Sequence, residues 1–393
     1  MKVLYDYWGF DMQTHGGVSR CFAELYQRLP KKVKAQIGVI ETNNIYLQQL
    51  GFNKAGDLYK DFIRQDDFLG KKVLFKLYYN FYYRNYSRWD HWPQHNRDYS
   101  IKLLKEQQFD IFHPTFFGDY FLEYIGKKPF VLTVHDMIPE LFPQYYPKDN
   151  FQIIKKKILL PKAAHIIAVS ENTKKDIIKL THIPEDKISV LYHGSSTISY
   201  KTSPTPVFNF PYILYVGDRD MYKNFDLFSK ECLPILRKYK ELHIVCTGKP
   251  FNTQENLFFQ ENDVSDRFIH KFVTTNQMMF DLYHNAEVFV YPSAYEGFGI
   301  PILEAYKSDC LVMLNHASCF PEIAGDAAVY FHMNAQKSDF IEKFEWLYNL
   351  PASKKEELLQ KQRERLKRFS WNESAKQLAS IYENTLKQIN RNT

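Results

Sequence analysis

Short apolar runs alternate with longer stretches of helical spacing along most of this chain. Residues 2–7 (KVLYDY) read as a strand, and a polar, glycine-containing loop leads from them into an amphipathic stretch over 18–29. Residues 33–40, 109–113, 130–134 and 165–169 are further strand-like runs. Strands that alternate with helices predict a parallel sheet covered on both faces. The rhythm breaks at 200–210 (YKTSPTPVFNF), where prolines, Ser and Thr interrupt it, and this reads as a linker. It then restarts, with strands expected at 212–216, 242–246, 267–272, 287–291 and 310–314, and beyond residue 352 the chain turns charged and helical. The expected fold class is therefore α/β, with two doubly wound units in series. The first spans 1–199 and the second 211–370, with a closing helix over 371–393 expected to pack back on the first unit.

Composition narrows the class without changing that picture. A length of 393 residues lets each half bury a core of its own. No uncharged apolar run reaches the roughly 18 residues of a membrane span. The start, MKVLYDYW, runs directly into a strand and lacks the layout of a secretory signal. The five cysteines, Cys21, Cys232, Cys246, Cys310 and Cys319, are odd in number and scattered, which favours a reducing compartment and a cytoplasmic location. A net charge of +6 suits anionic substrates or a membrane surface and does not point to nucleic acid.

Candidate chemistry gathers in loops of the second half, because open parallel sheets bind ligands beyond the carboxyl ends of their strands. After the strand at 212–216 comes GDRDMYKN, where Gly217 permits a tight turn and Arg219 and Lys223 bring two cations beside a helix start. Cations and exposed N–H groups together suit a diphosphate. A solvated loop with surface basic residues would read the same way. After the strand at 287–291 comes PSAYEGFGIPILE. Pro301 fits a first helical turn. Gly297 and Gly299 admit a ligand close to the backbone. Glu296 in the loop and Glu304 one turn into the helix can accept hydrogen bonds from sugar and ribose hydroxyls, or serve only as a loop residue and a favourable first-turn charge. A third loop, 315–321 before Glu322, offers a further helix start to the same cleft.

Taken together, the loops resemble the retaining glycosyltransferases of family 4. The stretch FVYPSAYEGFGIPILEA followed by SCFPEIAGDAAVYF matches that family's paired-glutamate region, and GDRDMYKN resembles its arginine-and-lysine phosphate loop. In the first half HGGVSRCFAEL resembles the family's glycine-rich loop and helix. FVLTVHDMIPELFP and AHIIAVSENTKKDII resemble segments of its bacterial surface-polysaccharide and O-antigen members. The resemblance implies the GT-B fold, two Rossmann-like domains facing across a cleft, and transfer of a hexose-type, mannose-like sugar from a nucleotide-diphosphate donor to a growing, lipid-linked glycan. It implies that Glu296 and the backbone N–H groups of Phe298 and Gly299 hold the donor sugar. Glu304 would hold the ribose, Arg219 and Lys223 the diphosphate, and His135 would reach the sugar from the opposite domain. Gly16 and Gly17 would admit donor or acceptor to the backbone, and no cofactor or metal would be needed. Nucleobase contacts are expected near 247–249 and 270–273 on topology. The competing readings are a GT-B epimerase or phosphorylase and a non-catalytic nucleotide-sugar-binding subunit.

One segment of the first half has a signal of its own. Residues 71–89 (KKVLFKLYYNFYYRNYSRW) hold five basic residues and no acidic one. On a helix Phe75, Tyr78, Tyr79, Tyr82, Tyr83 and Tyr86 would share one face, with Arg84 and Arg88 opposite. That pattern suits peripheral contact with an anionic membrane at its cytoplasmic face. It also suits a stripe packed on its own domain, or one lining an acceptor groove.

Overall fold

The computed structural model describes residues 1–55, 92–195, 201, 206–219, 221–334 and 336–392. The stripe at 71–89 lies outside the described residues, as do 196–200 and 202–205 of the expected first-unit end and linker.

Two open parallel sheets account for the alternation. In the first unit β1 (Lys2–Tyr5) lies between β2 (Lys34–Ile37) and β3 (Ile111–His113). A second set pairs β4 (Val131–Val134), β5 (His165–Ala168) and β6 (Ile188–Val190) in parallel. The bridge between Phe112 and Phe130 joins β3 to β4, so the strands run in the order β2-β1-β3-β4-β5-β6. The second unit holds β7 (Tyr212–Tyr215), β8 (His243–Cys246), β9 (Phe268–His270), β10 (Val288–Tyr291), β11 (Val312–Asn315) and β12 (Val329–Phe331), in the order β9-β8-β7-β10-β11-β12. All residues of β4, β5, β7, β10 and β11 are buried. Such strands must be near-continuously apolar, because helices cover both faces of the sheet.

The strand edges differ from the sequence expectation for local reasons. The strand expected over 267–272 is only Phe268–His270, and Phe272, 69% exposed, has left the sheet. The one expected at 310–314 begins at Val312, because Asp309 takes a left-handed φ of 51° as the chain turns into it. The amphipathic stretch at 18–29 is helix α1 (Gly17–Tyr26), one face of which buries Cys21, Phe22 and Leu25.

Seven further helices position the site or close the fold: α2 (Glu171–Thr181), α3 (Phe225–Lys238), α4 (Thr253–Glu261), α5 (Asn276–His284), α6 (Ile300–Lys307), α7 (Phe320–Ala324) and α8 (Trp371–Asn392). The last returns to the first unit. Trp371, Ala375, Leu378 and Tyr382 belong to that unit's apolar core. The Tyr382 hydroxyl is hydrogen-bonded to the Tyr5 hydroxyl (2.7 Å) and to His113 Nδ1 (2.6 Å), and His113 Nε2 meets Thr133 Oγ1 at 2.8 Å. A polar chain sealed this way makes the docking of α8 directional, since any unmade bond would leave a buried polar group unsatisfied.

Candidate active site

The carboxyl ends of β1 and β4 face those of β7 and β10, and the loops there carry the sequence-predicted residues. Beyond β10 the chain passes through Glu296, Gly297, Phe298 and Gly299 into α6. Gly299 has φ 88°, a left-handed value that strains any residue with a Cβ. Pro301 sits in the first turn. Gly297 is one point of close contact between the two units, where a Cβ would collide with the carbonyl oxygen of His135. Its own carbonyl accepts from Ser170 Oγ (2.7 Å) and Thr173 Oγ1 (3.3 Å). Phe298 turns its ring inward, 4.6 Å from the ring of His193.

Glu296 Oε1 accepts from Lys223 Nζ at 2.5 Å. Its backbone is pinned as well, the N–H donating to Ser318 Oγ (3.0 Å) and the carbonyl accepting from Cys319 Sγ (3.2 Å). Lys223 ends a 3-10 turn (Met221–Lys223) before α3, and its ammonium lies against the rings of Tyr222 and Tyr291. The carboxylate and the cation expected at one donor are thus in contact.

Arg219, expected to share the diphosphate with Lys223, is seated by the structure in the domain interior. Its Nε and Nη2 donate to the two oxygens of Glu255 on α4 (2.7 and 3.2 Å), and Nη1 and Nη2 donate to the carbonyls of Thr247 (3.3 Å) and Pro250 (2.8 Å). The rings of Phe225 and Phe251 lie 5.4 and 4.8 Å from its guanidinium carbon. The two side chains of the pair are 5% and 7% exposed. Glu255 also closes the capping box at the start of α4 with Asn252. The arginine therefore ties the loop after β8 to the loop after β7. The region expected to meet the nucleobase is held by this clasp, with His270 Nε2 bonded to the Gly248 carbonyl at 2.9 Å.

The third loop also differs from expectation. The helix start at 320–322 does not open to the cleft. Glu322 instead crosses to the first unit and accepts from the N–H groups of Glu171 (2.6 Å) and Asn172 (3.0 Å). These donors open α2, where a carboxylate satisfies otherwise unpaired N–H groups.

From the first unit Gly16 and Gly17 lead into α1. A Cβ on Gly17 would meet Ile300, the first residue of α6, at 3.5 Å, so the two helix starts face each other across the cleft. One turn further in, Arg20 Nη1 donates to Glu304 Oε1 at 2.5 Å, with 16% and 28% of the two side chains exposed. Sequence reading passed over Arg20. Its signal was the three-residue step from Gly17 on a helix whose start faces a ligand site. His135 follows β4, between the rings of Phe22 and His193. Burial lowers its pKa to about 4, with Asp136 opposing and Lys156 adding to the shift, so the ring is neutral near pH 7. Its buried Nε2 has no hydrogen-bond partner among the described residues, an atom placed to meet a ligand hydroxyl or phosphate.

Among the described residues no three His, Cys, Asp or Glu gather as metal ligands, and no helix is long and apolar enough to cross a membrane. The five cysteines are buried and unpaired.

Two doubly wound units with their loops opposed across a cleft make a GT-B fold. The structure superposes on HepE of Anabaena, solved with UDP and glucose, at a TM-score of 0.70 over 97% of this chain and 99% of that one, at 14% identity. It matches sucrose-phosphate synthase of Thermosynechococcus elongatus at 0.64 over 98% and 99%, again at 14% identity. The profile of Glycosyltransferase Family 4 matches residues 15–197 and that of Glycosyl transferases group 1 matches 203–369, and the chain belongs to the family 4 glycosyltransferases. The O-antigen chain mannosyltransferase RfbU of Salmonella typhimurium is 30% identical over 54% of this chain and 63% of its own length. The O-antigen chain mannosyltransferase B of Escherichia coli is 29% identical over 58% and 62%. The matched region thus spans a little under two thirds of each of these curated relatives.

Proposed function

We propose that this chain moves a hexose-type sugar, mannose or a close relative, from a nucleotide-diphosphate donor to a growing surface glycan, with retention of configuration and without a metal. One observation carries the reading: Lys223 and Glu296 meet at the start of α6, opposite the neutral His135. A cation for a leaving phosphate and a carboxylate for sugar hydroxyls then stand side by side. The relatives' names supply the sugar and the glycan.

In the proposed reaction the bond from the anomeric carbon to the diphosphate oxygen breaks as the acceptor oxygen bonds to that carbon on the same face. The acceptor's proton passes to the departing phosphate oxygen, so no enzymic nucleophile is required. Negative charge grows on the diphosphate, and Lys223 with the N–H groups at the start of α6 meets it without reorganising. Glu296 orients the sugar through its hydroxyls, Glu304 the ribose, and His135 Nε2 accepts from a sugar hydroxyl or, as its other tautomer, donates to a phosphate oxygen. The acceptor is proposed to be lipid-linked and met at the inner face of the cytoplasmic membrane.

The test is to incubate purified protein with GDP-mannose, UDP-glucose and other sugar nucleotides, with and without a polyprenyl-linked oligosaccharide. A glycan extended with an α-linked sugar, its configuration read by NMR, is the expected product. Epimerised donor, or binding of every donor without release of nucleoside diphosphate, would overturn the reading.

A further inference from the structure

The geometry points to Arg20 as a second diphosphate-binding cation, supplied by the first unit, with its Glu304 ion pair a stand-in that the donor displaces. This rests on the donor reading above and names a residue for it. Arg219 is committed to Glu255 and to two backbone carbonyls, which leaves Lys223 without the companion that the sequence pattern implied. A nucleotide sugar carries two negative charges on its diphosphate. Lys223, Arg20, Glu296 and Glu304 sum to zero, so these four side chains offer a dianion no net charge while both pairs are closed. Once the two carboxylates turn to hydroxyls, both cations are released to meet the two phosphate charges.

Three features place Arg20 for that exchange. It projects from the first turns of α1, whose start faces the start of α6. It contacts Glu304, the carboxylate read as the ribose holder. A ribose and its α-phosphate are joined through a single methylene, so a guanidinium beside the ribose carboxylate is in reach of the phosphate. Finally, the pair lines an open recess with Tyr283, Leu303 and Gly194, and it is several times more exposed than the Arg219 pair. A planar guanidinium also matches two phosphate oxygens at once, which an ammonium cannot do.

The competing account is that Arg20 merely straps the units together. The two are separated by titrating GDP, UDP, guanosine and uridine into wild type, Arg20→Gln, Arg20→Lys and Glu304→Gln, and reading the ratio of diphosphate to nucleoside affinity. Loss of a charge-assisted contact predicts that the ratio falls about tenfold to a hundredfold in Arg20→Gln. Arg20→Lys should recover part of it. Glu304→Gln should weaken nucleoside binding and leave the ratio unchanged or higher, and it carries the test should Arg20→Gln misfold. A ratio within twofold of wild type in Arg20→Gln, or one that collapses in Glu304→Gln, would overturn the assignment and leave the transferase reading standing. If wild type binds neither diphosphate and no sugar nucleotide, that reading falls, and this one with it.

Discussion

Two arginines of this chain each hold a glutamate, and their surroundings give the same chemistry two different uses. Arg219 and Glu255 are sealed in the second unit, with each nitrogen of the guanidinium bonded to a carboxylate or carbonyl and aromatic rings against it. Arg20 and Glu304 meet at an open recess between the units through one hydrogen bond. A buried pair that loses one member leaves a charge without water or partner, which makes it permanent in practice. A part-exposed pair costs less to open, since solvent takes up part of both charges. Loops near a ligand need both kinds, one to fix the backbone and one to give way.

The largest effect expected from this contrast is on stability. Arg219→Ala should cost about 3–5 kcal/mol, because Glu255 is left buried and uncompensated. Unfolding in denaturant would measure it, and replacing both residues by Met should restore most of the loss. If Arg219→Ala keeps its stability and loses nucleotide binding instead, the sealed pair is no clasp and Arg219 returns to the diphosphate.

Lys223 and Glu296 lie between these extremes, at 18% and 11% side-chain exposure. Lys223→Ala is expected to lower turnover about 10²–10³-fold, the usual consequence of removing one preorganised group from developing charge. Its cost in stability should stay about 1 kcal/mol. Unchanged initial rates at saturating donor would remove Lys223 from the site.

Much of this is legible in the sequence. The alternation of buried strands with amphipathic helices is a local pattern, and every expected strand range holds to within a few residues, whereas the short edge strands β6 and β12 were not expected. Gly299 and Pro301 were readable for the same reason, since a left-handed turn and a helix start each demand one residue type. The commitments of the arginines were not. Arg219 finds Glu255 thirty-six residues away and Arg20 finds Glu304 at a separation of 284, distances over which spacing carries no signal. Asn252 and Glu255 had the spacing of a capping box, but nothing marked that glutamate as also receiving an arginine. Glu322 likewise read as part of a helix start and proved to cap a helix of the other unit.

A carboxylate with no ion-pair partner among the described residues extends the comparison. Asp11 accepts from Asn96 Nδ2 at 2.9 and 3.2 Å. Burial pushes its pKa up to about 7, with Asn96 opposing and Asp6 adding to the rise. The folded state then binds more protons than the unfolded chain between about pH 4 and pH 7, so the Asp11 contribution to stability falls as pH rises through that window. Asp11→Asn keeps an acceptor and removes the titration. The variant should match wild type near pH 4 and exceed it by about 1–3 kcal/mol at pH 8. Unfolding at both values checks this, and a gain independent of pH would show that Asp11 is not protonated by its burial. Asp6, raised to about 6 by burial, contributes with the same sign and remains in both proteins.

The smallest expected effect concerns a metal. If Lys223 and Arg20 supply the positive charge that a divalent ion supplies elsewhere, chelation should change initial rates less than about twofold, well under the 1.4 kcal/mol that a tenfold change represents. The charge count is what makes this sharp. Two protein cations already match a diphosphate dianion, so an added ion would need carboxylates of its own, and the two that stand beside those cations are Glu296 and Glu304. They cannot bind it and also receive hydroxyls at full strength. Rates with excess EDTA, then with magnesium or manganese restored, decide the point. Activity lost to EDTA and regained with either ion would mean that the open pairs do not release their cations to the donor, and the distinction between the sealed and the open arginine would lose its functional half.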